Sequence, residues 1–143
     1  MTGALRSPAR YAEAAVRRAT ERLSPCFPRG MSLGDLDSFL EIGGHFLVIE
    51  WKTAGQDVPF GQLHALTRLA ELPQFEVVIV WLAALADPIT GAADVTRWRS
   101  LAFPAAAEQS PDDPLAALAE HLAAWARYAD ANPRPRGAGA GYR

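Results

Sequence analysis

The chain has 143 residues, half of them hydrophobic and 21% charged. That suits one globular domain over residues 1–132 with a single core and leaves no room for two. The net charge of −2 excludes a histone-like or polybasic protein. Of the 14 basic residues only Lys52 is a lysine, and the charge is unevenly spread: +4 over residues 1–30, +3 over residues 134–143 and −9 between them.

In chain order, Pro8 to Leu23 is expected to be a helix, with Ser7 as N-cap, Pro8 at the first helical position and an apolar stripe through Ala12, Ala15, Val16, Ala19 and Leu23. Two prolines and a glycine in Ser24 to Gly30 stop it. From Asp37 the texture turns to strand: Phe39 to Ile42, then Gly43-Gly44, then His45 to Lys52, a hairpin signature. A polar loop from Thr53 to Pro59 precedes a helix from about Gly61 to Leu72, which Pro73 stops. Phe75 to Leu82 suits a buried strand, and Val95 to Leu101, with its alternating pattern, an edge strand. Asp112 and Asp113 before Pro114 mark the start of a last helix running to about Ala131. Residues 133–143, rich in Arg, Gly and Pro, suit a disordered tail. The order implies an α/β or α+β domain with a central mixed sheet and helices packed on it.

Several classes fall away. Cys26 is the only cysteine, so there is no internal disulfide. His45, His64 and His121 lack metal-ligand spacing. Met1 to Arg10 has no apolar signal region, and the longest apolar run, Val77 to Ala86, is about half a membrane span. A reducing cytoplasm is the default expectation. Trp81, Trp98 and Trp125 are read as packing residues, and Arg97 and Arg99 as edge-strand charges that alternatively grip phosphate.

The hairpin carries the chemistry. A two-residue turn at Gly43-Gly44 sets Ile42 against His45, which brings Asp37 opposite Glu50 and Asp35 opposite Lys52. The strand period puts Glu50 and Lys52 on one face, while Leu47, Ile49 and Trp51 point the other way into a core. Carboxylates gathered so closely repel unless they bind a cation, and hard oxygen donors suit Mg²⁺ or Mn²⁺. A bound cation acidifies water and neutralises phosphoryl charge, and the adjacent lysine orients the water or stabilises the pentavalent phosphate. Metal-dependent phosphodiester hydrolysis needs these residue types.

Asp37, then Glu50-Trp51-Lys52 at the end of an apolar strand after a tight turn, resembles the D…ExK signature of the PD-(D/E)XK nuclease superfamily. The resemblance covers roughly residues 8–82, and Gly34 to Asp37 followed by Phe46 to Lys52 is especially like small phage-encoded and Holliday-junction-resolvase-like members. It implies a restriction-endonuclease-like core and an Mg²⁺- or Mn²⁺-dependent nuclease acting on DNA in phage or mobile-element processing, recombination or repair. By the same resemblance Asp37, Glu50 and the Trp51 carbonyl would hold the metal, Lys52 would serve the water, and Gln62 would stand beside the site. Asp35 is a rival to Asp37, and Glu13 and Glu21 are both candidates for a first-helix ligand. Leu66 stands where the Gln-x-x-x-Tyr branches carry tyrosine. A homodimer and a helicase or other recombination partner are compatible with small members. The competing expectation is a non-catalytic module on the same fold that binds nucleic acid or protein.

Overall fold

A computed structural model describes residues 8–30, 36–102 and 112–135. The chain falls into two compact units, Met1–Asp35 and Leu36–Arg143. The first contains α1 (Pro8–Leu23), followed by two short 3-10 turns at Ser24–Cys26 and Pro28–Gly30. Arg29 in the second turn takes a left-handed backbone (φ 57°), which ends regular helix there. The expected N-cap Ser7 lies outside the described residues, as do Asp35 and the side chain of Glu13.

The second unit is α+β: a four-stranded mixed sheet in the order β1-β2-β3-β4, formed by β1 (Ser38–Ile42), β2 (His45–Thr53), β3 (Phe75–Leu82) and β4 (Val95–Ser100). Helix α2 (Phe60–Ala70) connects β2 to β3, and α3 (Pro114–Ala131) follows β4. Gly43 and Gly44 have φ of 56° and 83°, the left-handed pair a type I′ turn requires. The turn fixes the expected register, Ile42 against His45 through Ser38 against Ile49. Strand β2 then pairs parallel with β3, as a helical crossover demands, and β3 pairs antiparallel with the edge strand β4.

Each sheet face carries its own cluster. Leu47, Val78, Val80 and Trp98 pack with Leu118 of α3, joined by the partly buried Leu122 and Trp125. On the other face Val48 and Val77 pack with Leu66 and Ala70 of α2. Burial of β3 is nearly complete, since it is central and covered on both faces. Asp113 caps α3 through a side-chain bond from the Ala116 N–H at 3.0 Å. At the other end His45, 4% exposed, donates its Nε2–H to the Asn132 carbonyl at 2.8 Å, and the Arg134 N–H donates to Gly43 O at 2.8 Å. The first residues of the expected tail are thereby held against the hairpin turn, while residues 136–143 lie outside the described residues.

One expectation needs correcting. Trp51 does not point into a core: it is 38% exposed, and its indole N–H donates to Ser38 Oγ at 3.0 Å. Alternation assigns a side chain to a face, but only the extent of the covering helix decides whether that face is buried, and the α3-side cluster does not take in Trp51.

Candidate active site

The Glu50 and Lys52 side chains leave the end of β2 on the face covered by α2. Between β2 and α2 the loop is braced at several points. The Ala54 N–H donates to Leu82 O at 2.6 Å, the Thr53 N–H to Gln56 Oε1 at 2.8 Å, and the Trp81 indole N–H to Gln56 O at 2.8 Å. These bonds fix where α2 begins, so that Gln62 in its first turn reaches back to the strand.

The result is a closed triangle. Lys52 Nζ lies 2.8 Å from Glu50 Oε1 and donates to Gln62 Oε1 at 2.9 Å, while Gln62 Nε2 donates to Glu50 Oε1 at 2.6 Å. The Glu50 side chain is 5% exposed and that of Lys52 15%. A carboxylate this buried is tolerable because it is both ion-paired and hydrogen-bonded. Of the three Lys52 donors two are used within the triangle, which leaves one N–H for another acceptor.

Asp37 stands at the neighbouring backbone position. A two-residue hairpin makes Ile42–His45, Leu40–Leu47 and Ser38–Ile49 the hydrogen-bonded pairs, so the Trp51 N–H faces the place of the Leu36 carbonyl. The ladder ends at Ser38, however, and the Asp37 carboxylate takes that place, accepting the Trp51 N–H at 2.8 Å. N–H and C=O of one strand residue point to the same side, which puts the Trp51 carbonyl on the Asp37 side of β2. Glu50, Lys52 and Gln62 thus meet directly, and Asp37 joins them through the backbone of the residue between Glu50 and Lys52. Glu21 is an exposed residue of α1 in the other unit.

The two carboxylates and the Trp51 carbonyl are hard oxygen donors of the kind that suits Mg²⁺ or Mn²⁺. Asp37 Oδ1 and Glu50 Oε2 accept no hydrogen bond among the described residues. No group of three or more His, Cys, Asp or Glu side chains is gathered for a metal among those residues. A cation held by Asp37 and Glu50 would therefore have two side-chain ligands.

No family model, curated protein or solved structure matches this chain.

The opposite face holds a polar cluster that sequence reading missed. Glu76 and Ser100 are 9% and 5% exposed, and Ser100 donates its hydroxyl to Glu76 Oε1 at 2.5 Å. His121 Nε2 of α3 stands 3.5 Å from the same oxygen, and the His121 ring lies 5.0 Å from that of Trp98. Glu76 was the one signal available, a charge in an otherwise apolar strand, but its partners come from β4 and α3. Among the described residues, no helix is long and apolar enough to cross a membrane.

Proposed function

We propose that the chain is a metal-dependent nuclease that hydrolyses phosphodiester bonds in DNA on a restriction-endonuclease-like core. The observation that carries this reading is the Glu50–Lys52–Gln62 triangle at a strand end, with the Asp37 carboxylate on the intervening Trp51 amide. Asp37, Glu50 and the Trp51 carbonyl hold the Mg²⁺ or Mn²⁺ ion, which when bound supplies charge neutralisation at the phosphoryl oxygen and a more acidic water. Lys52, oriented by Glu50 and Gln62, turns its remaining N–H to a phosphoryl oxygen and stabilises the charge that builds there as the attacking oxygen adds. Gln62 is a positioning residue: it spans Glu50 and Lys52 and fixes the ammonium. Asp37 is fixed in turn by the Trp51 N–H, so both carboxylates are set before substrate arrives.

The deep burial of Glu50 favours a second reading, in which the triangle only docks α2 on the sheet and the domain binds nucleic acid or protein without catalysis. One experiment separates the two. Purified protein is incubated with labelled single-stranded, duplex, flapped and branched DNA and with Mg²⁺ or Mn²⁺, alone and with a helicase added. Cleavage that disappears in Asp37→Asn and in Lys52→Gln, both still folded at the assay temperature, is the expected result. Failure of the wild type to cut any substrate, or undiminished cutting by both variants, overturns the nuclease reading.

A further inference from the structure

Among the described residues the most exposed apolar side chains gather at one end of the sheet. Three large hydrophobic side chains stand well above the others in exposure: Phe60 at 84%, Leu85 at 87% and Ile89 at 92%, with Phe39 next at 68%. Phe60 opens α2 after the loop from β2, and Leu85 and Ile89 belong to the loop after β3. Because β2 and β3 run parallel, both loops leave the end of the sheet at which Lys52 stands. Single exposed apolar residues are ordinary on a surface, whereas several at one end, beside a polar site, point to a ligand. The β3–β4 loop holds its shape by its own bonds: the Asp87 carboxylate accepts the N–H groups of Ile89 and Thr90 at 2.7 and 2.9 Å, and the Gly91 N–H donates to Asp87 O at 2.8 Å.

Phe60 is also organised. Its ring lies nearly parallel to that of His64, with centroids 6.2 Å apart and planes at 17°. The two are neighbours at i and i+4 on α2, and the next position of that stripe is Arg68. His64 and Arg68 are exposed like Phe60, on the side of the helix turned away from the buried Leu66 and Ala70. The stripe thus reads aromatic, aromatic, cation over about 12 Å of helix. Helix α2 contains no Asp or Glu, so nothing on it repels a polyanion. Gln62, which bonds to both Glu50 and Lys52, lies within the same helical turn as Phe60.

An open π-face beside a cation, with no carboxylate on the helix, suits a nucleobase followed by its phosphate. In a continuous duplex the base faces are covered by their neighbours, so only an unpaired base can use the platform. We infer that Phe60, backed by His64, stacks an unpaired base of the strand whose phosphodiester is presented to Glu50 and Lys52, with Arg68 attracting the backbone beyond it. This rests on the nuclease reading and adds the substrate class: single-stranded, flapped or frayed DNA, taken with little preference for base.

The test measures binding of a short fluorescein-labelled DNA single strand, and of the same sequence as a duplex, by anisotropy in EDTA, alongside cleavage of both in Mg²⁺ or Mn²⁺. Phe60→Leu keeps apolar bulk and removes the π-face; it is expected to weaken single-strand binding by about 5- to 150-fold and to leave duplex binding unchanged. Phe60→Trp retains the wild-type affinity, and Arg68→Gln flattens the slope of log K against log salt by about 0.7. Thermal melting confirms that each variant is folded, which the exposure of both side chains favours. A wild type that cuts DNA while Phe60→Leu keeps the full single-strand affinity overturns the platform and leaves the nuclease reading standing, as does a wild type that binds and cuts continuous duplex better than the single strand. Sedimentation showing a dimer that Phe60→Leu dissociates, with DNA affinity unchanged, gives the ring to a second copy of the chain and likewise overturns the platform. A wild type that neither binds nor cuts DNA removes the nuclease reading and the platform together.

Discussion

Replacing Lys52 by methionine keeps the length of the side chain and removes its charge and donors. Glu50, with a 5% exposed side chain, then retains only the Gln62 amide. Losing a hydrogen bond to a charged group costs about 1.5–3 kcal/mol, and stripping the partner from a fully buried charge about 3–5 kcal/mol. The 15% exposure of the lysine side chain places this pair towards the lower range, at about 2–3 kcal/mol. Glu50→Gln should cost less, because the Lys52 ammonium left behind can swing towards water on its flexible stem. The double variant should cost less than the sum of the two, since it removes both charges at once. Urea unfolding followed by circular dichroism reads all three: at an m of about 2 kcal/mol/M, the Lys52→Met midpoint falls by about 1–1.5 M. Against a typical total of about 5–15 kcal/mol the variants remain folded at room temperature, so their effect in a cleavage assay is separable from loss of fold. The reasoning is refuted if Glu50→Gln costs as much as Lys52→Met, or if the two effects simply add.

Three further outcomes follow from the local geometry. Gly44→Ala places a Cβ 3.0 Å from that of Arg134 at a φ of 83°; it should lose about 1–2 kcal/mol in the same unfolding assay, and no loss would contradict the type I′ turn. Asp113→Ala, which deletes the side-chain bond to the Ala116 N–H, should cost about 1 kcal/mol, with a neutral result refuting the cap. The backbone N–H of Thr90, followed by that of Ile89, holds the Asp87 carboxyl below the usual carboxylate range. Its contribution to folding is therefore present above about pH 4 and lost as pH falls through the lowered value. An NMR titration of Asp87 with a midpoint at or above the usual value would contradict this.

Much of the site was legible because its determinants are local. Gly43-Gly44 fixes the hairpin register, the period of two then puts Glu50 and Lys52 on one face, and a short braced loop brings Gln62 to them. What was not legible depends on where elements end or on which distant strands meet. The ladder was expected to carry Asp37 opposite Glu50, but it stops at Ser38 and Asp37 uses its carboxylate in place of a backbone carbonyl. Trp51 obeys its parity yet stays exposed, because parity says nothing of how far α3 reaches. The alignment of Arg97 and Arg99 with Lys52 and Glu50 requires the parallel β2–β3 register, which no local pattern encodes. The Glu76–Ser100–His121 cluster likewise exists only through pairing of β3 with β4 and packing of α3.

The central claim is that Asp37 and Glu50 flank the Trp51 carbonyl to form a cation-dependent catalytic centre. Crystals soaked in Mn²⁺ test it most directly, by anomalous scattering. The account predicts one strong peak contacted by both carboxylates and the Trp51 carbonyl, lost in Glu50→Gln. A structure with no peak at these oxygens, from protein that binds Mn²⁺ elsewhere or not at all, would contradict it.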